Sequence, residues 1–274
     1  MKKKRSNNYI STSLPEGVFS ACHKDGSLYF RASITRERKH ISLGSYDSAE
    51  KAHSAYLEAH RLFAEQSLSL QDYSGTCHLP FEKWVCLINF RDNGIYFRNP
   101  IYASRKMFYY YLSPVKILKF DMDDLFYFSS HKIMYRGNHY FVADYGLQVS
   151  IFSRFGLKPY ALPGRDFLFL NGDETDFRRE NLHIVNLYHG VTLEQKNGQY
   201  LYTVRIHVKG NYIVGRYENE IHAAIAYNKA VDILHKKGIK KNYLQNFIEN
   251  LSPSRYAEIY SNLPISSKLL SLEV

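Results

Sequence analysis

The sequence predicts an α+β chain in which two small modules, each a three-stranded sheet with one helix, flank a β-rich middle domain. In Gly190–Gly238 the hydrophobic period changes from two to that of a helix. The same change occurs near the start of the chain, so the unit is repeated. Between the copies, composition shifts toward aromatic residues broken by Gly, Pro and Asn turn signals.

The later module, residues 189–250, shows its pattern most clearly. Tyr202, Val204, Ile206 and Val208 alternate with Leu201, Thr203, Arg205, His207 and Lys209, as in a half-buried antiparallel strand. Lys196-Asn197-Gly198 marks a turn before it, and Gly210-Asn211 leads into another strand, Tyr212 to Tyr217. After Glu218 the period is helical, with Asn219 as the N-cap and Ala223, Ala226, Tyr227, Ala230 and Leu234 on one stripe. The small alanines let that helix lie close to the apolar side of the sheet. The opposite face then bears Arg205, His207, Lys209, Asn211 and Arg216, donors that suit phosphates and guanine edges.

The first module, residues 17–66, repeats this order. Gly17-Val18 matches Gly190-Val191, and Phe30, Ala32 and Ile34 match Tyr202, Val204 and Ile206. Gly44, Tyr46, Ala52, Ala55, Tyr56 and Ala59 match Gly215, Tyr217, Ala223, Ala226, Tyr227 and Ala230 at a constant offset of 171. Length changes fall in the turns. Outward strand positions here are Tyr29, Arg31, Ser33 and Thr35, followed by the basic turn Arg36-Glu37-Arg38-Lys39-His40.

Both segments resemble the plant ethylene-response-factor (APETALA-type) DNA-binding domain and its bacterial and phage relatives. The matching marks are the Gly-Val opening, the aromatic-x-Ala-x-Ile strand, Gly-x-Tyr closing the third strand, and the Ala-x-x-Ala-Tyr helix. The resemblance implies that the sheet enters the DNA major groove and that arginines on its open face make the contacts. Each first strand departs from the family by lacking its arginines, reading Gly17-Val18-Phe19-Ser20-Ala21 and Gly190-Val191-Thr192-Leu193-Glu194. The expected DNA-binding residues are Arg31, Ser33, Arg36, Arg38 and Lys39 in one copy and Arg205, His207, Lys209, Asn211 and Arg216 in the other.

In chain order, residues 1–16 read as a disordered arm whose Met1-Lys2-Lys3-Lys4-Arg5 start lacks the apolar stretch of a secretory signal. A polar connector, Ser67 to Pro80, leads into the middle domain, residues 80–187. There Phe81–Ile88 suits a short helix with Trp84, Leu87 and Ile88 on one side. Tyr96-Phe97, Met107–Tyr111, Ile117–Phe120 and Leu125–Phe128 are strand-like. At this density the aromatics are assigned to a core before base stacking. Residues 251–274 are expected to form a helix, starting at Ser252-Pro253, and a tail.

Within Arg165–Asn186, the run Leu170-Asn171-Gly172-Asp173, Thr175-Asp176 and Arg178-Arg179-Glu180-Asn181-Leu182 resembles the strand-turn-helix half of an HNH homing-endonuclease domain. That family places a metal-binding Asp and a general-base His where this chain has Leu168 and Phe169, so the resemblance implies a degenerate, HNH-like fold without catalytic residues. Phosphodiester hydrolysis by this route needs a base of near-neutral pKa and a hard cation, and Phe141–Leu182 contains no histidine or cysteine. Asp173 and Asp176 suit a turn and a helix cap more readily than a Mg²⁺ site. Arg178 and Arg179 are further candidate phosphate contacts, against a solvated helix face.

The net charge of +10 is spread over the whole chain, which favours a polyanionic partner. Three cysteines suit a reducing, cytoplasmic setting, and no apolar run is long enough to span a membrane. Cys22-His23 and Cys77-His78 lack the spacing of a zinc site, and no phosphate-cradling loop or nucleophile elbow is present. No cofactor, metal site or catalytic residue is expected. The resulting expectation is sequence-directed binding of double-stranded DNA by a non-enzymatic transcriptional regulator of homing-endonuclease-like ancestry, its oligomeric state left open. An active HNH-type endonuclease with a rearranged metal site and a protein-interaction scaffold stand as alternatives.

Overall fold

A computed structural model describes residues 14–272 and is α+β, built from small antiparallel sheets and few helices. Of the arm expected over residues 1–16, residues 1–13 lie outside the described residues. The chain divides into two compact units, Met1–Lys132 and Ile133–Val274. That boundary runs through the stretch 80–187 expected as one middle domain.

In the first unit, β1 (Val18–Cys22), β2 (Leu28–Arg36) and β3 (Lys39–Tyr46) form a sheet in that order, and α1 (Ala49–Ala64) packs on one side of it. Ser48 caps α1 by accepting from the Lys51 amide. Ala52, Ala55 and Ala59 on the inner stripe are fully buried, with no side chain long enough to hold the helix off the sheet.

α2 (Phe81–Asn93) explains why residues past 80 belong to this unit. Its Trp84, Leu87, Ile88 and Phe90 share a core with Val18, Ala32, Ile34, Ala55 and Leu62. The helix runs past the expected end at Ile88 because Phe90 continues the buried side, and Gly94, at φ +71°, provides the left-handed stop. Asn89 then donates to the Ile95 carbonyl, and Tyr96-Phe97 form no strand. β4 (Ile101–Ala103), β5 (Met107–Ser113) and β6 (Lys116–Asp121) follow as a meander, in line with the strand patterns at Met107–Tyr111 and Ile117–Phe120. Leu125–Phe128, expected to be strand-like, lies in a helix, α3 (Leu125–Ser130). Helical spacing buries Phe128 and leaves Phe126 at 88% exposure, and a four-residue apolar run does not distinguish the two periods. Phe108, Phe120 and Phe128 pack ring on ring, so these aromatics are core.

The second unit opens with a three-stranded meander, β7 (Met134–Arg136), β8 (His139–Asp144) and β9 (Leu147–Ser150), and a hairpin, β10 (Phe167–Phe169) with β11 (Leu182–Ile184). Its other three-stranded sheet is the repeat: β12 (Val191–Lys196), β13 (Gln199–His207) and β14 (Asn211–Tyr217), with α4 (Glu220–Lys236) on one side. Asn219 caps α4 through the Ile221 and His222 amides, and the alanine stripe is fully buried. Past α4 the chain clings to the same core. Asn228 and Asn246 exchange two hydrogen bonds, Nδ2 to O at 2.8 Å and N to Oδ1 at 2.7 Å, which tie an irregular segment to the helix. α5 (Pro253–Asn262) starts at the Ser252 cap, as the sequence predicts. The expected tail folds instead: Ser266 donates to the Val214 carbonyl, Tyr217 to the Pro264 carbonyl, and Leu269 of α6 (Ser267–Leu270) is fully buried.

The two repeats agree in atomic detail. Each sheet has a bulge at the same place, between Ala32 and Ser33 or between Val204 and Arg205. Each time the amide after the bulge donates to the opening glycine, Ser33 to Gly17 at 3.0 Å and Arg205 to Gly190 at 2.8 Å. Those glycines have φ +75° and +71°, and a Cβ on them would come within 2.1 Å of the Tyr56 ring and 2.2 Å of the Tyr227 ring. Only glycine fits there.

Two outcomes test this packing. Gly190→Ala should destabilise the protein by about 1–3 kcal/mol, because a left-handed non-glycine residue must also push Tyr227 aside; denaturant unfolding measures it. Ala226→Leu should cost roughly 1–3 kcal/mol by overpacking the helix against its sheet. A melting temperature equal to the parent's in either variant would contradict the close approach.

Candidate nucleic-acid interface

Strand register decides which side chains share the face away from each helix. In the first sheet, Phe19, Arg31 and Ser45 lie opposite one another, with Ser33 beside Ser42 and Thr35 beside His40. Phe19 is 56% exposed, and Arg31, Thr35, His40, Ser42 and Ser45 are exposed. The Arg31 side chain has no ion pair or hydrogen bond among the described residues. Tyr29 stacks on His23 at 4.3 Å between ring centres. This face therefore offers an unopposed guanidinium beside aromatic surface, the combination that pairs with phosphates or base edges.

The other candidates of the first module are distributed differently. Ser33 is only 9% exposed, because it lies in the central strand at the bulge. Arg36 and Lys39 do not face outward: the period of two puts Arg36 on the side of Ile34, where its guanidinium lies 5.2 Å from the Phe63 ring of α1. Lys39, its cross-strand partner, lies over Tyr96 at 5.1 Å. Arg38 stands exposed at the hairpin tip, where Glu37 and Arg38 have φ +48° and +63°, as a tight two-residue turn demands.

In the second sheet, Thr192, Thr203 and Arg216 form one row, with Arg205 beside Ile213 and His207 beside Asn211. Arg216 is exposed and Lys209 projects from the loop at the hairpin tip. Arg205 is not free. Its Nη1 lies 2.7 Å from Glu194 Oε1, and its Nη2 donates to Oε2 at 3.1 Å. This bond, first among the causes, holds the Glu194 carboxyl below its ordinary value. His207 and Asn211 are also paired, Nδ1 to Oδ1 at 3.0 Å. Lys241 and Tyr243 both donate to the His207 carbonyl, fixing the basic segment after α4 against the hairpin tip.

Arg178 and Arg179 belong to neither three-stranded repeat sheet. The expected helix there is a single 3₁₀ turn, Arg179–Asn181, leading into β11. Arg178 forks onto Asp176 through Nε at 2.9 Å and Nη2 at 2.6 Å, and Nη1 reaches Glu180. Arg179 lies over the Phe155 ring at 5.7 Å. Asp176 is 1% exposed and also accepts from Asn171 Nδ2, while Asp173 accepts from the Thr175 amide and hydroxyl. Asn181 holds the same loop, accepting from the Asn171 amide and donating to the Asp176 carbonyl. These polar groups bind one another. Leu168, where the HNH pattern has its metal ligand, faces His183 across the hairpin and is 42% exposed. Among the described residues no three His, Cys, Asp or Glu side chains gather as a metal site, and no helix is long and apolar enough to cross a membrane.

Phe19 and Glu194 belong to the candidate faces but were not among the residues singled out from sequence. Both lie on first strands, where one-sided alternation is weak, and only the cross-strand register brings them beside Arg31 and Arg205.

Burial pushes the Asp176 carboxyl up, but the Arg178 and Asn171 hydrogen bonds outweigh it and hold it below the ordinary 3.8. Its contribution to stability is thus present above that value and lost as pH falls through the lower folded one. Asp176→Asn should destabilise the second unit by about 1–3 kcal/mol at pH 7, with the gap from the parent closing below pH 3.8. Urea unfolding across that range checks both.

Compared with protein-family models, curated proteins and solved structures, the chain matches none.

Proposed function

We propose that this chain is a sequence-directed double-stranded DNA-binding protein, a transcriptional regulator that carries no nuclease activity. The observation that carries the reading is the first sheet face: covered on one side by α1, it presents Arg31 without an acidic partner, beside exposed Phe19 and the Tyr29 ring. A ribbon of this width fits the major groove, where arginine pairs with guanine O6 and N7. Arg38 and Lys209 at the hairpin tips are placed for phosphate contacts, which position without specifying. Arg36, Lys39, Arg178 and Arg179 are left out of the reading surface, since each is engaged elsewhere. The basic charge throughout the chain supports a polyanionic partner. Leu168 and Phe169, apolar where HNH chemistry needs a metal ligand and a base, support a role in binding without hydrolysis.

Sequences selected from a random duplex pool supply the probe. Arg31→Ala should weaken binding to the selected site by on the order of 1–3 kcal/mol and narrow its margin over random DNA. Unchanged affinity for both Arg31→Ala and Arg205→Ala would remove the sheets as the reading surface. Plasmid DNA incubated with the protein and Mg²⁺ or Mn²⁺ should remain intact; cleavage abolished by Asp173→Ala or Asp176→Asn would favour the nuclease instead.

A further inference from the structure

The shared architecture does not require the two sheet faces to carry the same charge, and they do not. Position for position, Arg205 corresponds to Ser33 and Glu194 to Ala21, because Val191 pairs with Val204 as Val18 pairs with Ala32. The first face thus has one lone arginine and no acid among these residues. The second has an arginine whose two terminal nitrogens are both occupied by a carboxylate, and an exposed Arg216 whose charge acts on that same carboxylate. Register puts Arg205 and Glu194 on either side of the Thr192–Thr203 row, so the bridge runs over it. Thr203 is 1% exposed, on the face that α4 does not cover.

We propose that Glu194 is an intramolecular competitor for Arg205, which makes the second sheet discriminate against the DNA backbone. The proposal rests on the DNA-binding reading above and adds a division of labour between the copies. A phosphate approaching Arg205 must displace one anion and leave it beside another, so the like charges repel. A base edge offers neutral acceptors. Guanine O6 and N7 can take over the guanidinium's hydrogen bonds with no new negative charge beside Glu194. Non-specific docking through this face is suppressed, while docking on a suitable base sequence is much less penalised. The first face, free of acid, supplies the salt-dependent attraction common to all sequences.

Glu194→Gln keeps the shape and one acceptor but removes the charge. Binding is measured for the full chain against a selected duplex and a random duplex of equal length, over a salt series. Random-duplex affinity should rise on the order of tenfold at low salt, with a salt slope steeper by about one. Selected-site affinity should rise less, so the specificity ratio falls. The gain should vanish in the Glu194→Gln, Arg205→Ala double variant, with all melting temperatures near the parent's. The proposal is overturned if Glu194→Gln leaves affinity and slope unchanged, weakens binding to every sequence, or keeps its gain without Arg205. A parent chain that binds no duplex would instead sink the DNA-binding reading itself, and this inference with it.

Discussion

The contact of a helix tyrosine with the glycine that opens each first strand governs both repeats. Tyr56 lies where a Cβ on Gly17 would be, and Tyr227 does the same at Gly190. With the alanine stripe it sets the separation of helix and sheet, and so decides which strand positions are core. The opposite positions are then open by elimination. Arg31 on the candidate face is thus a consequence of packing on the other one.

Within that frame, charge rather than fold separates the copies. Backbone hydrogen bonds, bulge, cap and alanine stripe are common to both. Arg31 nevertheless stands without an acidic partner while Arg205 is held by a carboxylate. Surface ion pairs of this kind add little to stability, so the pairing bears more on what the face can bind than on how firmly it folds.

The loop between β10 and β11 is held by its own polar side chains. Asn171, Asp173, Asp176, Arg178 and Asn181 are linked in a network around a single turn, the Asp173 amide donating to Asn171 Oδ1. Deeper in the same unit Asp166, 0% exposed, lies 2.8 Å from the Lys158 ammonium and accepts from Arg165 and the Leu162 amide. Burial favours the neutral acid, yet these partners keep its carboxyl below the ordinary value. Buried charges paired in this way hold structure.

Both repeats were legible in the sequence, because period two followed by a capped helical stripe with small residues is a local signal and its recurrence doubles it. The caps at Asn219 and Ser252, the turns at Asn197-Gly198 and Gly137-Asn138, and the outward position of Arg31 follow from neighbours a few residues apart. Leu125–Phe128 was not legible, since four apolar residues fit either period. The sequence determined that Arg205 leaves the core side of its strand. Only the tertiary structure decided what it meets there, because Glu194 lies on another strand and the register, set by Gly190 and the bulge, brings the two charges together. Likewise the division of residues 80–187 between two units depended on where α2 found apolar partners, against α1, a long-range choice that no local pattern records.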